Sequence, residues 1–227
     1  MLAVSNLSKG YKTDRSNLIL SNVNLELVND RIYFLMGKNG SGKTTFIKCL
    51  LGLENYKGII TYGNSKLHEI RKNIFAIFDD IPLYNDLNGF QNIRLMLPDT
   101  AMYDKDFILD QKLLTKEKLK ERVKGYSLGE RKKLAFLAAI ISKPTYLIID
   151  EISNGLDVET LEFLKEYLSE LKKHTLVIAT GHHFEFYENI IDELLILSEK
   201  EITHLKNYAQ GDRKLYEIYK KYISSCE

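Results

Sequence analysis

Two hydrophobic patterns run along this chain, and they predict two kinds of strand. Leu2 to Ser5 and Val23 to Val28 alternate apolar and polar positions, as half-buried antiparallel strands do, with the turn-forming run KTDRSN (12–17) between them. They predict a β-layer at one edge of the molecule. The runs IYFLM (32–36), YLIID (146–150), TLVIAT (175–180) and ELLILS (193–198) are apolar at almost every position, the mark of strands covered on both faces. Parallel strands of this type need helical crossovers. Asp157 to Leu171 supplies one, because Val158, Leu161, Leu164, Leu168 and Leu171 keep helical spacing along one stripe, and the result is a βαβ unit. Between Asp79 and Lys143 the strand-like runs stop and charged helical patterns take over, notably DQKLLTKEKLKERV (110–123) and ERKKLAFLAAII (130–141). This predicts a helical lobe inserted into the sheet. The tail from Gly211 to Glu227 reads as one amphipathic helix, and the chain carries no internal repeat and no long heptad series.

Composition narrows the choices. At 227 residues and 44% hydrophobic content the chain can bury a real core. We expect a single domain over 1–227, with 1–78 and 144–227 forming an α/β core and 79–143 forming the helical subdomain. A formal net charge of +1, from 32 basic and 31 acidic residues, leaves no global field for nucleic acid or for a membrane surface, so any anion site must be local. The two cysteines, Cys49 and Cys226, are too few for a disulfide framework or a cysteine metal site and suit a reducing compartment. Met1 to Ser5 lacks the features of a signal peptide, and no apolar run approaches the roughly 20 residues of a membrane span. The expectation is a cytoplasmic protein without direct membrane insertion, whose membrane role, if it has one, runs through a partner.

The chemistry begins at MGKNGSGKTTF (36–46). GKNGSGKT matches GxxxxGK[ST] at Gly37, Gly42, Lys43 and Thr44, and stands where that motif must, between a buried strand and a helix. The segment Gly37, Lys38, Asn39, Gly40, Ser41, Gly42 can turn sharply and aim its N–H groups inward. The following helix adds a positive N-terminal end, and Lys43 adds a full charge toward the β- and γ-phosphates. Thr44 can place its hydroxyl on Mg²⁺, and Thr45 continues the cradle. A metal-bound triphosphate also needs a carboxylate across the site. YLIIDE ends a buried strand in Asp150, a magnesium ligand through its water shell, and then Glu151, placed to polarise an attacking water as general base. Together the two motifs indicate a nucleotide triphosphatase of the P-loop type, α/β with a mixed, mainly parallel sheet.

The order of the remaining motifs carries a family resemblance over nearly the whole chain. YSLGERKKL (126–134) resembles the LSGGQ signature of ATP-binding cassette (ABC) transporter ATPases, SNGLD (153–157) resembles their D-loop, and ATGHHFEF (179–186) resembles their switch-histidine region. The resemblance implies a homodimer or heterodimer of ATP-binding subunits, clamping ATP between one P-loop and the other subunit's Ser127 and Gly129. It also implies a separate membrane permease, and attachment to the inner face of the cell membrane through it. Tyr11 matches the aromatic residue that stacks on adenine; the alternative is an edge-strand tyrosine packed on the core. His182, ten residues before Asp192, is preferred over His183 as the switch histidine facing the γ-phosphate and Glu151.

The chain also departs from the family pattern. Leu128 replaces the first signature glycine, and a leucine side chain opposes a positive φ there, while Glu130 brings negative charge toward a triphosphate. Ser127 and Glu130 also spell S-x-x-E, a capping box for the helix that follows. Asp79, after the strand NIFAIF (73–78), stands where the family has glutamine; it can hold magnesium-bound water but donates no hydrogen bond. Residues Ile81 to Phe107 are the candidate permease surface, and LYNDLNGFQNI (83–93) resembles the corresponding loop of exporters. The leading expectation is an ATPase that powers an exporter, with Mg²⁺ and ATP as cofactors. Two other classes remain: an ATP-binding regulatory module with little turnover, and a soluble ABC-type ATPase outside transport.

Overall fold

The computed structural model describes residues 1–11, 18–97, 99, 103–153, 155–206, 208 and 214–224. The KTDRSN turn, Asn154 and Cys226 lie outside them. In chain order the elements are β1 (Leu2–Gly10), β2 (Leu18–Leu27), β3 (Ile32–Gly37), α1 (Lys43–Leu50), β4 (Lys57–Tyr62), α2 (Leu67–Ile70), β5 (Ile74–Ile77), α3 (Gly89–Met96), α4 (Lys105–Asp110), α5 (Lys116–Lys120), α6 (Leu128–Ser142), β6 (Tyr146–Asp150), α7 (Val158–Leu171), β7 (Leu176–Thr180), α8 (Phe184–Tyr187), β8 (Glu193–Ser198), β9 (Glu201–Leu205) and α9 (Leu215–Tyr219).

The strands form two sheets. One has three strands in the order β2-β1-β4, all antiparallel; the other has six in the order β5-β6-β7-β3-β8-β9, parallel except for the antiparallel β9 edge. The long apolar runs supply the four central strands of this second sheet, and every residue of β3, β6 and β7 is buried. Because side chains alternate across a strand, each run feeds two cores at once. Phe34, Met36, Leu147, Ile149, Val177, Ala179, Leu194 and Ile196 face a core shared with α6 and α7. Tyr33, Leu35, Tyr146, Ile148, Leu176, Ile178, Leu195 and Leu197 face a second core, closed by α1 and the three-stranded sheet. A strand that must satisfy two apolar layers has no room for the polar alternation of β1 and β2.

Helix α7 makes the crossover from β6 to β7, but its buried stripe is Thr160, Leu164 and Leu168, flanked by the partly buried Leu161 and Leu171. Val158, expected on that stripe, is 76% exposed. It sits two residues before Thr160, about 200° round the helix. The run 110–123 also departs from a continuous helix. α4 stops at Asp110, Lys112 takes a positive φ of 55°, and Thr115 starts α5 by accepting a hydrogen bond from the Lys118 amide. A threonine cap out-competes helix continuation there and lets Leu114 and Leu119 enter the core. In the tail, α9 is followed by one π-turn at Lys220–Ser224 in place of an uninterrupted α-helix. Strands β4 and β9 are elements that the hydrophobic pattern did not mark.

At the start of α7, the Asp157 carboxylate accepts from Lys133 Nζ of α6 at 2.9 Å, from the Thr160 hydroxyl at 2.7 Å and from the Thr160 amide at 2.8 Å. The Lys133 ammonium, with the two Thr160 donors, holds this carboxyl well below the usual carboxylate range. A depressed folded-state value means stabilisation that is complete above the unfolded value, about 3.9, and is lost as pH falls from there toward the folded value.

Two measurements check this packing. Leu168→Ala should lower stability by about 2–5 kcal/mol, and Val158→Ala by less than about 0.5 kcal/mol, read from urea unfolding midpoints. Asp157→Asn should lower the midpoint at pH 6, and the gap between variant and native protein should close as pH falls below about 4. A gap that is constant across that range would remove Asp157 from the acid response.

Candidate active site

The carboxyl ends of β3, β6 and β7 meet at one edge of the parallel sheet, where open α/β sheets place their ligands. After β3 the chain turns through Gly40 (φ 76°) and Gly42 (φ 112°) into α1, whose N-cap is Gly42. Glycine is required at the turn because a Cβ on Gly42 would stand 2.6 Å from the Ile19 side chain; one on Gly37 would stand 2.7 Å from Ser41 Oγ and 2.8 Å from the Leu197 carbonyl oxygen. Asn39, Gly40, Gly42, Lys43, Thr44 and Thr45 then wall a cleft of about 420 Å³, completed by Ile19, Glu151 and His182.

Lys43 is 7% exposed and turns back over the loop, donating to the carbonyl oxygens of Gly37 at 3.0 Å and Lys38 at 3.2 Å. Burial pushes its ammonium below its usual range, while Glu151 and Asp150 pull the other way. A desolvated cation whose hydrogen bonds all go to carbonyl oxygens can exchange them for an anion. Ser41 Oγ lies buried in the same loop with no protein partner, a further polar group that a bound anion can satisfy.

Across the cleft, Asp150 at the end of β6 accepts from Thr44 Oγ1 at 2.9 Å and from the Thr180 hydroxyl at the end of β7. The parallel register puts Asp150 opposite Thr180. A carboxylate and a hydroxyl are the hard oxygen donors that suit Mg²⁺, so this pair fits that ion. Glu151 follows with φ 57°, an uncommon value for a non-glycine residue; its amide donates to the Thr180 carbonyl at 3.2 Å, and its Oε1 stands 3.2 Å from His182 Nε2. Of the two neighbouring histidines, His182 faces the cleft and Glu151. His183 precedes α8 as its N-cap.

Tyr11 stands beside the cleft. Its hydroxyl lies 3.3 Å from Thr45 Oγ1 and donates to Glu54 Oε1 at 3.3 Å, and the buried Lys9, paired with Glu54 at 2.9 Å, sits 4.7 Å from the ring centroid. At 56% exposure it is not packed on the core.

The remaining candidates lie at the start of α6 and just after β5. Ser127 caps α6 in a reciprocal box: its Oγ accepts from the Glu130 amide at 3.2 Å, and Glu130 Oε2 accepts from the Ser127 amide at 2.7 Å. Glu130 also pairs with Lys118 at 3.1 Å, so its charge is turned into the chain's own contacts. Leu128, 52% exposed, opens the helix and is not among the positive-φ residues, so the expected conflict with a left-handed conformation does not arise. Gly129 matters through closeness instead, because a Cβ there would stand 2.9 Å from the Gly155 carbonyl oxygen. The Asp79 side chain is 55% exposed, pairs with Lys132 Nζ at 2.7 Å and is not among the residues that line the cleft.

Several contributors went unmarked in the sequence. Thr180 is a polar residue at the end of a buried run, and Lys132 is a lysine leading into the fully buried stretch Leu134–Ser142; either oddity could have flagged them.

Comparison with known proteins gives the following similarities. The family model described as ABC transporter matches residues 20–154. The lantibiotic transport ATP-binding protein SrtF of Streptococcus pyogenes is 30% identical over 230 residues, covering 98% of this chain and 97% of that protein. The methionine import ATP-binding protein MetN of Francisella tularensis subsp. holarctica is 30% identical over 223 residues, covering 90% of this chain and 63% of that protein. Among solved structures, an ATP-binding subunit of an ABC transporter superposes with a TM-score of 0.79 at 24% identity, over 97% of this chain and 92% of that one. A dimeric, post-hydrolysis ATP-binding cassette, MJ0796 with ADP and Pi, superposes with a TM-score of 0.77 at 21% identity, over 92% of this chain and all of that one.

Proposed function

This chain belongs to the ABC transporter family, and on that premise we propose that it is the ATP-binding and hydrolysing subunit of a transporter whose permease is a separate chain. The observation that carries the reading is the single cleft in which Lys43, Thr44, Asp150, Glu151 and His182 converge at the mouth of buried strands. The triphosphate lies along the amides of Gly37 to Thr44. Lys43 exchanges its carbonyl partners for phosphate oxygens, and Tyr11 offers a ring face to adenine. Thr44 and Asp150 would hold Mg²⁺, which supplies charge neutralisation on the phosphates. Asp79 reaches that ion only after leaving Lys132. Glu151 takes a proton from water as the water's oxygen bonds to the γ-phosphorus and the bond to the ADP oxygen breaks; His182 holds Glu151 and the γ-phosphate in line.

The capped N-terminus of α6, with Ser127 and Gly129, completes the site of a second cassette, in a homodimer or heterodimer. Among the described residues no helix is long and apolar enough to cross a membrane, which accords with a separate permease contacting Ile81 to Phe107. The protein then works on the inner face of the cell membrane through that partner, without nucleic acid. We favour export because residues 83–93 resemble the corresponding loop of exporters. Turnover is favoured over a binding-only regulatory role because the departing residues are internally compensated: Glu130 by Lys118 and the Ser127 amide, Asp79 by Lys132.

Calorimetry should show binding of ATP with Mg²⁺ to the purified protein and its loss in Lys43→Ala. Glu151→Gln should keep binding, accumulate an ATP-bound dimer on size exclusion and lower phosphate release by at least about a hundredfold. Undiminished release by Glu151→Gln would sink the assignment of the base, and absence of any nucleotide binding would sink the function.

A further inference from the structure

Helix α6 carries three consecutive cations directly after its first three residues, Arg131, Lys132 and Lys133, and each ties down a different part of the molecule. Arg131 donates to Asn85 Oδ1 at 2.9 Å and to the Val123 carbonyl at 3.0 Å, while Lys133 holds Asp157. Between them, the Lys132 side chain is completely buried, and its ammonium donates to Asp79 Oδ1 at 2.7 Å and to the main-chain oxygen of Glu151 at 3.1 Å. A charge in such a place needs partners of good geometry, and the two it has belong to segments with different duties. Asp79 leads into Ile81 to Phe107. Glu151 is the base, held in a left-handed conformation at φ 57°.

That conformation needs fastening from both sides, because a glutamate there relaxes to negative φ when its peptide groups are released. On the amino side the fastening is the Glu151 amide to the Thr180 carbonyl, at 3.2 Å. On the carboxyl side it is Lys132. We infer that Lys132 is a positioning residue: it fixes the Glu151 peptide so that the carboxylate meets His182, and it makes this fixation depend on where Asp79 is. Displacement of the segment after Asp79 draws on the same ammonium that holds the base. The inference rests on the proposed hydrolysis, and supplies a direct route by which events at residues 81–107 reach it.

The consequence is separable from simple support of the fold. Lys132→Met keeps length and packing but removes both hydrogen bonds, so kcat should fall roughly 10- to 100-fold while the KM for ATP stays within about threefold. Asp79→Asn should also lower kcat, and the double variant should be no worse than Lys132→Met alone, since both changes cut one tie. Losses that multiply in the double variant would overturn the dependence on Asp79. Independently of turnover, amide hydrogen exchange over residues 150–153 should quicken at least about tenfold in Lys132→Met while exchange in α7 is unchanged. Should the native protein release no phosphate, the exchange experiment still decides the tie, and only the reading as an ATPase fails. Exchange and kcat both unchanged in Lys132→Met, or a kcat loss matched by an equal rise in KM and by faster exchange across the whole of α6 and α7, would leave Lys132 as ordinary structural support and refute the inference.

Discussion

The site exists because a sheet buried on both faces tolerates polar groups only at its strand ends. β3, β6 and β7 are apolar through their interiors, since each feeds a core on either side, and Asp150 and Thr180 stand at the carboxyl ends of β6 and β7. Parallel pairing then gathers those termini. The register that sets Leu147 against Val177 also sets Asp150 against Thr180, and β3 on the other flank of β7 delivers Gly37 and the loop beyond it. No part of the cleft could keep its place if this register slipped by one residue, since a slip would exchange the two cores and turn Asp150 inward.

Within that frame the two cations beside Glu151 are treated differently. Among the described residues Lys43 makes hydrogen bonds to carbonyl oxygens alone, and although Asp150 and Glu151 favour its charge, burial outweighs them. Lys132 is buried against a carboxylate as well as a carbonyl, so its charge is satisfied inside the chain and serves to hold other groups. The two lysines differ in whether a carboxylate hydrogen-bonds the ammonium, as Asp79 does at Lys132 and none of the described ones does at Lys43. Burial lowering the pKa of Lys43 expresses the same imbalance.

The signature segment shows how local rules can meet an altered sequence. A glycine-to-leucine change would be severe where φ must be positive. At the first turn of a helix it is ordinary, and Leu128 occupies such a turn. Glu130 serves as the reciprocal member of the capping box and is paired by Lys118, so its charge is engaged before any nucleotide approaches. Close approach, the other property of glycine, is kept at Gly129 against the Gly155 carbonyl.

Much of this was legible in the chain itself. Apolar runs marked the buried strands because a residue that must satisfy two cores has few alternatives, and the glycine and lysine spacing marked the anion loop because backbone amides need freedom to converge. Asp150 and Glu151 were visible as charges where a buried strand has to end. Short-range rules failed where a local cap or a partner distant in sequence decided the outcome: Thr115 splitting the run 110–123, Val158 turned outward, and β9 pairing only because β8 was already in place. The pairing of Asp79 with Lys132 and the grip of Lys132 on Glu151 came from tertiary structure alone, whereas the chain itself favours His182 over His183 by its spacing to Asp192 and the structure adds the contact with Glu151. The two Lys132 contacts join residues 53 and 19 positions apart, and the packing of α6 against the sheet brings them within reach.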